Sequence, residues 1–74
     1  MSTIVAIGER ERVGGFALAG VQIAPADDPD AVRGAWERLP ENAGLVILTT
    51  AAHRALAAEG FGDDDDRLWV VMPE

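Results

Sequence analysis

Three short apolar runs constrain this chain more than anything else in it. Residues 3–7 (TIVAI), 44–49 (GLVILT) and 68–72 (LWVVM) are β-branched or bulky, and none of them carries a charge. A strand with one wet face alternates apolar and polar residues. A continuous apolar strand is the mark of a parallel sheet covered by helices on both faces. A fourth run, residues 21–24 (VQIA), is shorter, carries Gln22 and is followed at once by Pro25. A proline closing a short, partly polar strand suits the edge of the sheet.

Between the runs the period changes to that of a helix. Val13, Phe16, Ala17 and Gly20 fall at i, i+3, i+4 and i+7, and Val32, Ala35, Trp36 and Leu39 repeat the spacing. Asp28-Pro29 predicts an N-cap followed by proline at the first helical position, with Asp30 favoured by the positive helix end. Pro40 stops that helix. Thr50 is expected to cap a third helix running through Leu56. Gly60 then falls where a left-handed C-terminal residue belongs, with Phe61 as its apolar contact. Strands alternating with helices imply a parallel sheet joined by right-handed crossovers. The fold class is therefore α/β: a small four-stranded parallel sheet flanked by helices, a Rossmann-like or receiver-like three-layer sandwich, with residues 1–74 forming a single domain.

A chain of 74 residues buries only about 60–65% of the surface that its unfolded form exposes, so its own stability is marginal. The absence of cysteine excludes disulfides and thiolate metal sites, and a single histidine, His53, excludes a histidine cluster. A partner protein is left as the expected support. The net charge of −7, with no lysine, disfavours nucleic acid. No apolar run approaches the roughly 18 residues that span a bilayer, and the basic patch and apolar core of a signal peptide are missing. The expectation is a cytoplasmic protein without membrane insertion.

The glycine-rich opening invites a phosphate-binding reading and fails its tests. A dinucleotide site needs G-x-G-x-x-G across the first strand–helix turn. Here the turn is Gly8-Glu9-Arg10-Glu11-Arg12, which breaks the spacing and places two carboxylates where a pyrophosphate would lie. A P-loop needs a lysine that the chain lacks. Gly14 and Gly15 each cost a helix about 1 kcal/mol, a cost explained by close packing against the chain's own sheet or against another chain.

Other chemistry also lacks its parts. Receiver-type phosphotransfer needs an aspartate ending the third strand and an acid pair after the first. This chain offers Leu48-Thr49-Thr50 and a lone Glu9. The run Asp63, Asp64, Asp65, Asp66 lacks the alternate spacing of a calcium loop and reads as a solvated, repelling surface. His53 has no nucleophile beside it and reads as a surface histidine on a helix. Trp36 and Trp69 read as core or rim. No catalytic, cofactor-binding or metal-binding residues are therefore assigned.

The order of motifs resembles the F subunit of the V-type and archaeal-type (V/A) rotary ATPases. The resemblance is carried by "IVAIGERERVGGFALAGV" (residues 4–21), "ENAGLVILTTAAHRAL" (41–56) and "LWVVMPE" (68–74). It implies a non-catalytic, Rossmann-like subunit of the central stalk, peripheral to the membrane. Such a subunit binds the coiled-coil shaft subunit beside other central-stalk subunits and turns with it. It helps couple ATP hydrolysis or synthesis to proton or sodium transport, with no cofactor of its own. Gly15, Phe16, Leu18, Ala19 and Gly20 match the family segment and are the implied partner-binding residues. Family members commonly continue into a C-terminal helix, so the resemblance implies a short variant. An unfilled docking face implies weak self-association in isolation.

Two further readings stand beside it. One is a stand-alone receiver-like or Rossmann-like regulatory module, binding a nucleotide or small anion at the strand ends around residues 8–12 and 49–51. The other is an enzyme of unassigned chemistry built on Glu9 or His53.

Overall fold

The structure is a computed structural model describing residues 3–60 and 68–73. Phe61 and the four aspartates 63–66 lie outside the described residues. The chain runs β1 (Thr3–Gly8), α1 (Arg10–Val13), a 3-10 segment (Gly14–Ala19), β2 (Gln22–Pro25), α2 (Pro29–Glu37), β3 (Ala43–Leu48), α3 (Thr50–Ala58) and β4 (Trp69–Val71). The strands form one parallel sheet in the order β2-β1-β3-β4. The α/β reading holds, and the proline-closed strand β2 lies at an edge as expected.

Strand register divides the sheet side chains into two faces, because successive residues point opposite ways. Val5, Ile7, Val46 and Leu48 project onto one face, where they pack with Val32, Trp36 and Leu39 from the α2 region and with Ala52 and Leu56 of α3. This is the main core, with Trp36 only 5% exposed. The crossover from β1 to β2 runs in the opposite direction from the later ones. Right-handedness therefore puts α1 and the 3-10 segment on the other face, over β1 and β2. Ala6 and Val13 are buried there and stand apart from the main cluster.

Helix α2 forms as its sequence predicts. Asp28 is extended, and its carboxylate accepts the Ala31 N–H at 2.8 Å, with Pro29 in the first turn. Helix α3 departs by one residue. Thr49, not Thr50, is the cap: Thr49 has extended dihedrals and its hydroxyl oxygen accepts the Ala52 N–H at 3.2 Å, while Thr50 is already helical. Gly60 takes the expected left-handed conformation, φ 78°, and its N–H donates to the Ala57 carbonyl at 3.1 Å.

The first crossover corrects the expectation of one regular helix through Val13, Phe16, Ala17 and Gly20. A single α turn ends at Val13 and six residues of 3-10 helix follow. Length accounts for this. The return path must run back along β1, about 20 Å for six residues. Ten residues of α-helix cover about 15 Å, whereas the observed mixture covers about 18 Å. Two glycines, which are poor α-formers, permit the tighter winding.

A second correction concerns coverage. Continuous apolar strands imply burial on both faces, yet Ile4 is 41% and Val70 47% exposed. Among the described residues, the helical layer on the α1 side packs against β1 and β2.

Candidate functional site

In an open parallel sheet, ligands meet the crevice where strand order reverses, beyond the strand C-terminal ends. Here that point lies between β1 and β3, whose following residues are Glu9 and Thr49. Thr49 is fully buried. Its hydroxyl donates to Glu9 Oε1 at 2.5 Å while the same oxygen accepts the Ala52 N–H. The Arg12 guanidinium sits 3.6 Å from the other Glu9 oxygen. The Thr49 hydrogen bond chiefly, then the Glu9 backbone hydrogen bond and the Arg12 charge, hold the Glu9 carboxyl below its usual 4.5 against the opposing pull of burial. The glycine-rich opening thus delivers a carboxylate to the position a phosphate would take. The turn carries its own anion.

Gly8 makes this contact fit. A Cβ there would lie 2.8 Å from Thr49 Cβ and overlap Thr49 Oγ1 and Cγ2. The need is close approach between two strand ends, not a phosphate cradle.

Beside Glu9 is a shallow cavity of about 110 Å³ bounded by Asp27, Asp28, Val32, Ala52 and Ala55. Asp27 accepts the Arg10 N–H at 3.3 Å, and Asp28 is occupied in capping α2. Three carboxylates around so small a space oppose an anionic ligand. Among the described residues, no group of three or more His, Asp or Glu is placed to hold a metal ion. Asp27 lies two residues beyond the end of β2. Its approach to the Glu9 turn depends on strand pairing and had no local signal.

The implied partner-binding residues form one surface segment. Gly15, Leu18, Ala19 and Gly20 are exposed and Phe16 is half-buried. Leu18 is 95% exposed. No atom lies within 4 Å of the place a Cβ would take at Gly14 or Gly15. Packing of these glycines against the chain's own sheet is thereby overturned. The segment closes at Gly20, φ 80°, with the Val21 N–H donating to the Phe16 carbonyl at 3.2 Å.

His53 is half-buried rather than on open surface, its ring 5.2 Å from that of Trp69 at 32°. Its backbone N–H donates to the Thr49 carbonyl at 2.9 Å, and among the hydrogen bonds of the described residues none joins it to Glu9. No helix among the described residues is long and apolar enough to cross a membrane. No family model, curated protein or solved structure matches this chain.

Proposed function

We propose that this chain is a non-catalytic rotor subunit of a V/A-type rotary ATPase, a cytoplasmic protein peripheral to the membrane. It docks on the coiled-coil shaft subunit and helps couple ATP hydrolysis or synthesis to proton or sodium transport. The resemblance in residues 4–21 supplies the identity. The observation that carries the reading is Leu18, 95% exposed at the surface of an ordered segment with open space around its glycines. A large apolar side chain held out in water from a structured turn suits a protein contact. The position of Glu9 argues against the stand-alone anion-binding module, because the carboxylate stands where the ligand's charge would lie.

The test is size-exclusion chromatography with light scattering, mixing the chain with the shaft subunit of the same organism. A one-to-one complex is expected, weakened by Leu18→Asp with no loss of folding. Absence of a complex at about 1 μM, a concentration at which specific partners associate, would overturn the stalk reading.

A further inference from the structure

Helix α2 leaves the edge strand β2 partly uncovered. Register sets Gln22 beside Val5 and Ala24 beside Ile7, so Gln22 and Ala24 look toward α2. Val32 and Trp36 turn that helix into the main core. Ala31 and Ala35, one turn apart, line the space beside the edge strand instead. Alanine at 24, 31 and 35 is too small to close the gap. The result is an open groove of about 320 Å³, with the buried side chains of Val5 and Leu39 in its wall.

A cation is placed at this groove. Arg38, just after α2, is the charged residue of its lining. The Arg38 Nε donates to the Gly34 carbonyl at 3.1 Å. A Cβ at Gly34 would lie 2.6 Å from Nη2 of the same arginine. The guanidinium is therefore laid against α2 at the one position of that helix without a side chain. Glycine is unfavourable in a helix interior, and here it makes room for the cation. Nε uses one of five guanidinium N–H donors, which leaves both Nη groups for an anion. Arg12 and Arg33 pair with carboxylates, whereas no ion pair among the described residues includes Arg38. Glu37 and Glu41 flank it in sequence, but neither lines the groove. The charge at the groove is local and positive.

Size and edge chemistry select the occupant. Small-molecule pockets begin at about 300 Å³ and pair apolar walls with a few fixed polar groups. A peptide strand would instead need a ladder on β2, which has four residues. The Ala26 N–H donates to the Gly8 carbonyl, so alternate residues bond toward β1 and leave Ile23 and Pro25 facing outward. Pro25 has no N–H. An edge with so few donors is a poor template for a strand.

We propose that the groove between β2 and α2 binds a small monocarboxylate with an apolar body. The body lies along Val5, Ala24 and Ala35, and the carboxylate accepts from the Nη groups of Arg38. The groove is on the α2 face and the Leu18 segment on the other, so the site stands independently of the stalk reading.

The experiment follows amide and methyl NMR signals of the full chain during titration with three probes: 4-phenylbutyrate, its neutral alcohol 4-phenylbutanol, and a short apolar peptide. Saturable shifts at Val5, Ala24, Ala35 and Leu39 are expected with the acid, at a Kd of about 1 mM or below. The alcohol should bind at least about tenfold more weakly, having no charge for Arg38. Arg38→Gln should bring acid and alcohol to equal affinity. If that variant loses its dispersed spectrum, Gly34→Ala decides: its methyl displaces the guanidinium while favouring the helix, and the acid should lose its advantage. Equal binding of acid and alcohol to the wild type would overturn the inference. So would shifts centred on the cavity beside Glu9, no shift up to about 10 mM acid, or an acid preference that persists in the deciding variant. A peptide that binds more tightly than the acid and moves the Ile23 amide signal would replace the small carboxylate with a strand, and would overturn it too.

Discussion

Thr49→Val removes one hydroxyl from a fully buried site and keeps its shape. That hydroxyl does two jobs: it accepts the Ala52 N–H to cap α3, and it donates to Glu9. Loss of a threonine cap costs about 1 kcal/mol. A hydrogen bond to a charged group is worth about 1.5–3 kcal/mol when buried. The Glu9 side chain is 33% exposed, so solvent screening reduces its share to about 1 kcal/mol. The sum is about 2 kcal/mol, and a domain of this size loses about 4–8 °C per kcal/mol, giving a fall of about 8–16 °C in Tm at pH 7. Circular dichroism melts would measure it, and Thr49→Ser should recover most of the loss.

The pH dependence separates the two jobs. Glu9 has its folded pKa lowered, first by the Thr49 hydroxyl. Its contribution is complete above the unfolded value of 4.5 and is lost as pH falls through the lower folded value. The gap between wild type and Thr49→Val should therefore be widest above that value and shrink on acidification to the capping share alone. A Tm change within 2 °C, below the loss expected of even the cap, would refute the role of the hydroxyl. A gap independent of pH would refute the link to Glu9.

Gly8→Ala should be destabilising by about 1–3 kcal/mol through overpacking against Thr49, read from denaturant midpoints; a neutral result would mean that the strand ends separate freely. Gly15→Ala should leave stability unchanged or raise it by about 0.4–1 kcal/mol, since the site is open and alanine restricts the unfolded chain; a clear loss would restore the intramolecular packing reading. Asp28→Ala should cost about 1 kcal/mol through the α2 cap, and unchanged melting would show that Pro29 alone starts the helix.

Much of the fold was legible locally. Apolar runs bounded by turns marked the strands, and Asp28-Pro29 and Gly60 marked helix ends, because caps and strand patterns are written in adjacent residues. The first crossover was misread because the spacing of Val13, Phe16 and Ala17 fits a helix, while the distance to be covered along β1 is a property of the sheet. Thr50 was favoured over Thr49 for a related reason: which of two threonines keeps extended dihedrals depends on where β3 stops pairing. The glycine-rich segment proposed for docking stood out in sequence, but whether its glycines faced the sheet or open space did not.

The sequence by itself determined the α/β class, the parallel strands and their helical connections, and the edge position of the proline-closed strand. The tertiary structure alone decided two things. It brought Glu9 to Thr49, 40 residues away, because strand order makes β1 and β3 neighbours and so joins their C-terminal turns. Among the described residues it also left apolar side chains of β3 and β4 exposed on one face, because each crossover chooses its side by the direction in which it travels. The single crossover on the α1 side lies over β1 and β2, beyond reach of the apolar residues that the later strands present.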